Sequence, residues 1–489
     1  MDNLNIFDIL YPKYKISKPI RLIELFGGYG SQYFALKYLN ADVEHWKLCE
    51  WAVKSIQAYK DAHCYNDNND YSKDISKDEL INYLYNKGIS QNYNEPMNLQ
   101  QIKKQTEKWI RNVYNNIIAT KNLVNIQQVK GNDLEIVNTN KYNYIMTYSF
   151  PCQDLSLAGK RLGMNDTSTR SGMLWEVERI LLECKNINTL PQILLMENVP
   201  QVHGEDNIDD FQKWQLSLEK MGYKNYIQDL IATDYEIPQT RNRCFMISIL
   251  GDYSYTFPQS IPLKLKLKDM LEDNVDEKYY LTQKQLEQIA NWNAYQNPFD
   301  TIGKENCPNI TTRSGAFAAG MILTKENILV PEATKKGYAL ATDGDGVYIN
   351  RPQQKRGVVQ KGKIQTLKTS CDDVGVVINY GIATNESQEW QKKPLEEKSR
   401  TILANKSNGG VGVIENNLRI RKLTPKECFR LMGVKDEDYE RIAKNQSDNS
   451  LYHLAGDSLV TTIMMALLSQ MLDINWQEYF NTKEWWRNE

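Results

Sequence analysis

The sequence predicts an α/β protein in which a doubly wound, mainly parallel sheet is followed by a smaller, β-rich region. Over the first 250 residues, apolar runs of strand length alternate with amphipathic segments of helix length. This alternation is typical of a parallel sheet with helices on both faces. From about residue 258, short glycine-punctuated segments rich in Thr and Val replace it. At 489 residues the chain is long enough for two or more domains.

The predicted sheet begins with a strand over residues 21–26, which ends in a glycine turn and leads into a helix over residues 31–39. A second strand follows at residues 44–49. The later strands are predicted at residues 144–148, 193–196, 226–232 and 244–250, with amphipathic helices such as 174–184 between them. Each of these apolar runs has the length of a buried strand.

A polar insert at residues 66–125 interrupts this pattern, with helical segments at 79–84 and 101–118. We expect it to be a surface elaboration rather than a catalytic element. After about residue 417 the chain returns to helices and ends in a helix over residues 453–472. The predicted domains are therefore residues 1–257, a small domain at 258–435 and a C-terminal helical segment at 436–489.

The small domain contains three threonine-rich segments, at residues 310–315, 364–370 and 401–407, which resemble diverged copies of one unit. Such strands form solvated sheet edges in some proteins and contact phosphates or bases in others. Residues 258–435 contain 27 Lys and Arg against 20 Asp and Glu, whereas the remainder contains 32 and 41. This distribution fits a module that faces a polyanion, and a mild surface bias with no ligand is the alternative.

Composition disfavours several other classes of protein. The eight cysteines and four histidines include no CxxC pair, so we expect neither a zinc site nor a disulfide framework, and no metal. This cysteine usage favours a reducing cytoplasm. Residues 1–10 carry acids and lack a basic start, so no signal peptide is predicted. We also expect no apolar run of membrane-spanning length and no membrane partner.

The turn after the first strand reads Phe-Gly-Gly-Tyr-Gly over residues 26–30, and its bare backbone at Gly28 and Gly30 lets a ligand approach closely. Glu50 ends the second strand and is followed by Trp51. An acid there suits a ribose diol, and Trp51 suits stacking on adenine. Because Gly-x-Gly-x-x-Gly is absent, an adenosyl cofactor is favoured over NAD or FAD. The alternative is a generic sheet turn.

Other strand ends carry side chains that suit catalysis. Cys152 follows Pro151 on a turn directly after the apolar run 144–148. Glu197 ends another apolar strand, so burial should raise its pKa and suit it to giving a proton. Arg241 and Arg243 are two residues apart, so on an extended chain they share a face and can converge on a carbonyl or phosphate. Taken singly, each residue also fits a structural role, as a core cysteine, an ion-paired glutamate or surface arginines.

The order of these motifs resembles that of the bacterial-type DNA (cytosine-5)-methyltransferase family over most of the chain. The glycine turn is similar to the family's cofactor loop, Pro151-Cys152-Gln153 to its nucleophile motif, and Glu197-Asn198-Val199 to its acid motif. Arg241 and Arg243 are similar to its arginine motif. Residues 421–428 resemble the motif after the family's target-recognition region, and residues 455–460 resemble its closing motif, which folds back onto the cofactor site.

The resemblance implies a Rossmann-like methyltransferase domain that depends on S-adenosylmethionine and releases S-adenosylhomocysteine. It implies a smaller target-recognition domain, with the C-terminal segment returning to the catalytic domain. Cys152, activated by nearby positive charge such as Arg243, would add to C6 of a cytosine flipped out of double-stranded DNA. Glu197 would protonate or hydrogen-bond N3 of the cytosine, and Arg243 with Arg241 would hold its O2. The loop at residues 157–171 would close over the flipped base.

The resemblance also implies a set of cofactor contacts. These are Phe26, Gly28, Gly30, Glu50, Trp51, Asp133, Leu134, Pro151, Asp457, Ser458 and Leu459. Three positions depart from the family's usual residues: Gly27 replaces Ala, Ser31 replaces Gly and Asp457 replaces Asn. In addition, the insert separates Asp133, the expected adenine-binding acid, from Glu50 by about 80 residues.

Two other functions stay open: an RNA (tRNA) cytosine-5 methyltransferase and a catalytically inactive DNA-binding protein. The long segment between the arginine motif and residue 421 favours the reading of duplex DNA, and the presence of Cys152 and Glu197 favours an active enzyme. We expect a monomer in the bacterial cytoplasm or nucleoid. It would act in restriction–modification with a cognate restriction endonuclease, or as an orphan enzyme of a phage or mobile element.

Overall fold

The computed structural model describes residues 11–151, 171–280, 328–333, 338–349, 351, 354–369, 373–382, 415–480 and 485–487. Cys152, loop residues 157–170 and the threonine-rich segments at 310–315 and 401–407 lie outside the described residues. The chain divides into two compact units. The first comprises Met1–Ile237, Arg241–Lys264 and Cys428–Glu489, and the second comprises Pro238–Thr240 and Leu265–Glu427. The sequence predicts these divisions after residues 257 and 435.

The first unit is built on a six-stranded sheet with the strand order β2-β1-β3-β4-β6-β5. Its strands are β1 (Ile20–Leu25), β2 (Val43–Cys49), β3 (Asn143–Tyr148), β4 (Ile193–Asn198), β5 (Tyr223–Ile231) and β6 (Asn242–Leu250). Strands β2, β1, β3 and β4 pair in parallel, whereas β6 is antiparallel to both of its neighbours. The predicted doubly wound, mainly parallel sheet is confirmed.

Helices and loops cover this sheet. The helices between its strands are α1 (Ser31–Tyr38), α2 (Val53–His63), α3 (Lys77–Lys87), α4 (Leu99–Lys103), α5 (Glu107–Ala119), α6 (Leu174–Asn186) and α7 (Ile208–Met221). Every residue of β3 and β4 is buried, as expected of parallel strands that are covered on both faces. Apolar burial of this kind, at about 25 cal/mol per Å², is the main source of stability for such a core.

Three helices, α3, α4 and α5, form the insert. Helix α3 begins with a capping box in which Ser76 and Glu79 satisfy each other's backbone N–H groups. The predicted helix over residues 101–118 is wrong as a single element. Instead, the chain breaks after α4 and restarts at Thr106, whose hydroxyl accepts a hydrogen bond from the N–H of Trp109. The insert shares a buried apolar cluster with α2, formed by Val53, Ile56, Leu80, Ile81, Leu84, Ile89, Met97, Ile102, Ile110, Val113, Ile117 and Val124.

The described strands of the second unit are β7 (Ile328–Pro331), β8 (Tyr338–Ala341), β9 (Gly346–Tyr348), β10 (Val359–Gln360), β11 (Val374–Ile382) and β12 (Glu415–Arg421). Strands β7 and β8 pair with each other, and the other four form a sheet in the order β10-β9-β11-β12. All of these pairings are antiparallel.

The described part of the threonine-rich segment at 364–370 does not form a regular strand. Ile364 makes only an isolated bridge to Gln239, and its N–H donates to the carbonyl of Pro238 at 2.8 Å. The N–H of Leu367 donates to Oε1 of Gln239 at 3.2 Å. The side chains of Ile364 and Leu367 are buried. The segment bonds to the stretch Pro238–Thr240, which is too short to pair with a whole strand.

The C-terminal helices are α8 (Pro425–Arg430), α9 (Asp436–Ala443), α10 (Asp448–Asp457) and α11 (Thr461–Leu472). The predicted helix over residues 453–472 is therefore two helices, because the backbone at Ser458 is extended. Among the described residues, the stretch Asp448–Leu472 is long enough and, at a mean hydropathy of 1.4, apolar enough to cross a membrane, contrary to our expectation from the sequence. Since 89% of the 18 consecutive residues that meet this criterion are buried inside the protein, the stretch has the character of a core helix pair and is weak evidence of a membrane span.

Candidate active site

The carboxyl ends of the parallel strands meet along one edge of the sheet. Leu25, at the end of β1, is in register with Cys49 at the end of β2 and with Tyr148 at the end of β3. Strand β6 runs the other way, so Cys244 near its start pairs with Asn198 at the end of β4. The topology therefore brings the segments that follow β1, β2, β3 and β4, and the first residues of β6, to the same edge. This edge is where open α/β sheets bind their ligands.

The glycine loop, which we define as residues 26–30, turns sharply away from β1. Phe26, Gly28 and Gly30 all have positive φ, at 57°, 56° and 81°. A side chain built on Gly28 would meet no atom within 4 Å, so open space faces the backbone at this point. The N–H of Gly28 donates to Oε2 of Glu50 at 3.1 Å, and the N–H of Ala52 donates to Oε1 at 2.8 Å. These two backbone donors fix the orientation of the Glu50 carboxylate.

Helix α2 packs against the glycine loop and hydrogen-bonds to its backbone. Nε2 of His63 donates to the carbonyl oxygens of Tyr29 at 2.9 Å and Gly30 at 3.1 Å. Burial holds the pKa of His63 well below its ordinary value, so the ring is neutral. A Cβ on Gly30 would collide with both His63 and Tyr59. A glycine is therefore required here, both for its left-handed backbone and for this close approach.

A chain of buried polar groups connects the same helix, through Tyr59, with Glu24 on β1 and His45 on β2. The hydroxyl of Tyr59 bonds to the carboxyl of Glu24 and lies 2.8 Å from Nδ1 of His45. Burial lowers the pKa of His45 to about 4, so its neutral ring donates from Nε2 to the carbonyl of Thr120 at 2.7 Å and accepts at Nδ1. The hydroxyl of Tyr59 must then donate to His45 and accept from Glu24. Because burial raises the pKa of Glu24 to about 8, Glu24 carries the proton that this arrangement needs.

Two carboxylates, Glu50 and Asp457, interact through their charges beside the glycine loop. Burial is the largest of the causes that raise the pKa of Glu50 to about 7, and the charge of Asp457 contributes to the same rise. Desolvation also raises the pKa of Asp457, although 53% of its side chain is exposed. The carboxylate of Asp457 is surrounded by protein but is reached by solvent, so it lies in a cleft. Two acids in one cleft suit a ligand with a positive charge and a diol, and S-adenosylmethionine has its sulfonium, its ammonium and its ribose hydroxyls.

The other predicted cofactor residues after β2 and before β3 differ in burial, and Leu134 is buried. Trp51 is half-buried, and its ring packs against the apolar cluster of the insert. Asp133 is exposed on a short 3-10 turn, and its Oδ2 accepts from the N–H of Lys130 at 2.8 Å. The carbonyl of Leu134 accepts from Nε1 of Trp46 at 2.9 Å, which ties this turn to β2.

Glu197 and Arg243 form an ion pair at the same edge, with Nε of Arg243 3.1 Å from Oε1 of Glu197. Only 9% of the Glu197 side chain and 17% of the Arg243 side chain are exposed. Burial raises the pKa of Glu197, while the charges of Arg243 and Arg241 oppose that shift. As predicted from its position at a strand end, Glu197 is a desolvated acid. The guanidinium of Arg243 reduces the rise in its pKa but does not cancel it.

Arg241 is buried and points to the closing motif rather than to open space. Its Nη2 donates to the carbonyl of Ser458 at 2.8 Å. The hydroxyl oxygens of Ser458 and Ser31 are 2.6 Å apart, and both residues are buried. Leu459 is also buried. Arg241 and Arg243 therefore both act on Glu197 through their charge, but Arg241 in addition holds the extended segment between α10 and α11 in place.

Our reading of the sequence did not single out Asn198 or Ser31. Nδ2 of Asn198 donates to the carbonyl of Phe150 at 3.1 Å, and its Oδ1 accepts from the N–H of Val199 at 2.8 Å. Asn198 thus anchors the chain two residues before Cys152. Its place directly after Glu197 in a motif was the available signal. Ser31 was visible only as a departure from a glycine.

One group of possible metal ligands occurs among the described residues. His203, Asp229 and Cys244 place their ligand atoms within 4.8 Å of one another. Nε2 of His203 and Oδ1 of Asp229 are 2.9 Å apart, which is a hydrogen-bond distance. Burial raises the pKa of the Cys244 thiol, so this group is a hydrogen-bonded cluster around a neutral thiol. The five cysteines within the described residues, Cys49, Cys64, Cys184, Cys244 and Cys428, are free.

A doubly wound sheet that carries a glycine loop, an acid after its second strand and a desolvated acid–arginine pair on one edge is typical of an enzyme with a nucleoside-containing cofactor. More specifically, the chain belongs to the C-5 cytosine-specific DNA methylase family, whose model matches residues 99–473. It is a DNA cytosine-5 methyltransferase, and membership of this family implies S-adenosylmethionine as the cofactor.

Several relatives match over most or half of the chain. Type II methyltransferase M2.ScrFI of Lactococcus lactis subsp. cremoris is 28% identical over 460 residues, which cover 92% of this chain and 99% of that protein. Orphan methyltransferase M.SssI of Spiroplasma monobiae is 37% identical over 268 residues, or 54% of this chain and 67% of that protein. The solved structure of S. pombe Dnmt2 methyltransferase aligns with a TM-score of 0.49 at 15% identity, over 93% of this chain and 98% of that one.

Proposed function

We propose that this methyltransferase acts on a cytosine flipped out of double-stranded DNA, with Cys152 as nucleophile, Glu197 as acid and Arg243 as the group that binds O2. The observation that carries the proposal is the ion pair of Glu197 and Arg243, desolvated at the edge of the sheet where β3 leads towards Cys152. A target base inside a duplex is out of reach of such a recessed pair, so the base must leave the helix.

In the proposed reaction the thiolate of Cys152 forms a bond to C6 of cytosine. The electrons of the C5–C6 double bond shift onto C5 and are shared through C4 with N3. Glu197 gives a proton to N3, or shares it there, which neutralises the charge that develops. Arg243 stabilises the same charge from O2. Bound S-adenosylmethionine would supply the methyl group to C5, with S-adenosylhomocysteine as the leaving group. A base then removes the C5 proton, N3 returns its proton to Glu197, and the C5–C6 double bond re-forms as the thiolate of Cys152 leaves.

Cofactor binding is assigned to the cleft beside the glycine loop. Glu50 would accept hydrogen bonds from the ribose hydroxyls, since two backbone N–H groups already orient its carboxylate. The open space over Gly28 leaves room for close approach of the ligand. Phe26, Gly30, Trp51, Asp133, Leu134, Pro151, Asp457, Ser458 and Leu459 complete the proposed set. Asp457 would face the positive charge of the ligand.

We further propose that the second unit reads the DNA sequence. The excess of Lys and Arg over residues 258–435 supports this role, because phosphate contacts supply much of the affinity of DNA-binding modules. An enzyme that methylates tRNA is the competing proposal. Tritiated methyl transfer to duplex DNA and to tRNA, measured side by side, separates the two.

The chain is proposed to work as a monomer in the bacterial cytoplasm or nucleoid. The relatives include both Type II and orphan methyltransferases, so a cognate restriction endonuclease is proposed for the restriction–modification setting alone. Cleavage of unmethylated DNA, and its loss on methylation, would identify such an endonuclease in the source cells. Sedimentation of the free chain tests the monomer.

The experiment that tests the proposed function is bisulfite sequencing of DNA from cells that express the chain. We expect cytosines protected from conversion in one sequence context, and full conversion in cells that express Cys152→Ser. A duplex with fluorine at C5 of the identified cytosine should trap the wild-type chain covalently, because fluorine cannot leave as a proton does. The Cys152→Ser variant should form no such adduct.

Each outcome bears on a separate part of the proposal. Unprotected DNA in wild-type cells, together with methylated tRNA, would replace the DNA proposal with the RNA one. Protection by Cys152→Ser at the wild-type level would remove Cys152 from the mechanism. Lys213→Gln serves as the control variant, because 66% of the Lys213 side chain is exposed and its ion-pair partner, Asp210, lies on the same helix, α7.

A further inference from the structure

We propose that the insert contributes a positioning residue to the cofactor site: Tyr93, stacked on His453, holds the end of α10 so that Asp457 faces the cofactor. This inference rests on the proposed role of Glu50 and Asp457 in binding S-adenosylmethionine. It assigns a function to residues 66–125, which the sequence alone presented as a surface elaboration.

The part of the insert that carries Tyr93 is fastened to the chain that follows Glu50. We call residues 90–97 the insert loop. The N–H of Ser90 donates to the carbonyl of Trp51 at 2.8 Å, and the N–H of Val53 donates to the carbonyl of Ser90 at 2.9 Å. This pair of hydrogen bonds places the start of the insert loop beside the first three residues after Glu50. The loop therefore begins at the rim of the proposed cofactor cleft.

Hydrogen bonds within the insert loop fix its shape. The hydroxyl of Ser90 donates to the carbonyl of Glu95 at 2.7 Å. Oδ1 of Asn92 accepts from the N–H groups of Asn94 at 3.0 Å and Glu95 at 3.2 Å. The N–H of Met97 donates to the carbonyl of Ile89 at 2.8 Å, which closes the loop at its base. A loop closed in this way presents Tyr93 from a defined backbone position.

Tyr93 itself adopts a left-handed backbone conformation, with φ at 62°. A residue with a side chain keeps this conformation only where surrounding contacts hold it there. One such contact is with His453: the two ring centroids are 3.8 Å apart and the planes differ by 15°. The residues are 360 positions apart in the sequence, so this stack joins the insert to α10.

His453 lies one helical turn before Asp457 on α10, and its Nδ1 is 3.2 Å from Oδ2 of Asp457. Residues four apart on a helix share a face, so a ring fixed at 453 limits where the carboxylate at 457 can go. The charges of Glu50 and Asp457 both raise the pKa of the Tyr93 hydroxyl, after burial. All four groups are therefore electrostatic neighbours around one cleft. The family usually has Asn where this chain has Asp457. The carboxylate of Asp457 can form an ion pair with the ring of His453.

The inference is tested by binding of S-adenosylhomocysteine to the full-length chain, measured by calorimetry. We expect Tyr93→Ala to weaken binding about 10-fold, as does His453→Ala, because either change frees the Asp457 carboxylate. In the double variant the two losses should not add, because they remove one contact. Tyr93→Phe keeps the ring and should bind as the wild type does. In steady-state assays, the KM for S-adenosylmethionine should rise with kcat unchanged.

Tyr85→Ala is the matched control, since Tyr85 lies on α3 of the same insert with 47% of its surface exposed. It should leave binding unchanged. Unfolding curves for every variant show whether a loss of binding merely follows a loss of stability. If Tyr93→Ala does not fold, His453→Ala and Tyr93→Phe still report on the stack from its two sides.

The outcomes separate this inference from the proposed function. Failure of the wild-type chain to bind S-adenosylhomocysteine would overturn the proposed cofactor site and the inference with it. Wild-type binding together with unchanged affinity in Tyr93→Ala and His453→Ala would overturn the inference alone. Tyr93→Phe as weak as Tyr93→Ala would also overturn it, because the stack would then not be the determinant.

Discussion

The hydroxyl oxygens of Ser31 and Ser458 lie 2.6 Å apart, although 427 residues separate them in the sequence. Ser31 begins the helix that follows the glycine loop, and Ser458 lies in the extended break between α10 and α11. The Ser458 hydroxyl is within 3.2 Å of the carbonyl of Leu459, so it can donate there and accept from Ser31. The contact joins the first and last motifs of the chain beside the cofactor cleft.

Removal of this contact should destabilise the protein. Ser31→Ala leaves a buried hydroxyl at 458 without its donor, and we expect a loss of about 1 kcal/mol in the free energy of unfolding. Ser458→Ala should cost a similar amount, and the double variant less than the sum. Denaturant titrations measure all three. Ser469→Ala, a buried serine on α11 that bonds only within its own helix, is the control, and strict additivity of Ser31→Ala and Ser458→Ala would contradict the prediction.

The ion pair of Glu197 and Arg243 should govern the pH dependence of methyl transfer. Glu197→Gln is expected to lower kcat by at least about 100-fold, because an amide cannot give a proton. The charge of Arg243 lowers the pKa of Glu197 against the effect of burial. Arg243→Gln should therefore raise that pKa, and the fall in activity at alkaline pH should move to higher pH.

Single-turnover rates measured between about pH 5 and pH 9 test this shift. Lys213→Gln, which removes a surface charge, should keep the wild-type profile. An alkaline limb that stays in place in Arg243→Gln would show that Glu197 is not the acid that titrates.

Cofactor affinity should fall as the pH falls through about 7. Burial and the charge of Asp457 raise the pKa of Glu50 to about 7, so below that pH Glu50 takes up a proton and loses a charge that attracts the cationic ligand. Asp457→Asn removes the like charge and should move the midpoint to lower pH. Calorimetric titration with S-adenosylmethionine, in the absence of DNA, across this range measures both midpoints. Equal midpoints in the two proteins would contradict the coupling.

The free energy of unfolding should fall as the pH rises from 4.5 towards 8. Burial raises the pKa of Glu24 from its ordinary 4.5 to about 8, so in this window the folded chain keeps a proton that the unfolded chain releases. The stabilisation is complete below the unfolded pKa and is lost as the pH rises through the folded one, with a slope of at most about 1.4 kcal/mol per pH unit.

Denaturant titrations at several pH values measure this slope. Glu24→Gln should flatten it, because the amide can donate to the Tyr59 hydroxyl at every pH. Glu44→Gln, at a half-exposed position on β2, should keep the wild-type slope. A slope unchanged by Glu24→Gln would show that another group carries the proton.

Much of the first unit follows from local pattern. Apolar runs long enough for a strand and bounded by turns mark β1, β3 and β4, because a strand buried on both faces has few polar residues. The same logic failed at residues 364–369, where threonine content suggested a strand. There the hydrogen-bonding partner is the three-residue stretch at 238–240. The strand propensity of a segment gives no information about which partner it will meet.

The sequence by itself determined the class of the catalytic unit and most of the proposed site, because motifs at strand ends must meet when parallel strands share an edge. Only the tertiary structure decided which side chains touch. Ser31 with Ser458, Tyr93 with His453, and Arg241 with the Ser458 carbonyl are contacts between elements hundreds of residues apart. They depend on how the insert and the C-terminal helices pack, which depends on the shape of whole surfaces rather than on any local run of residues.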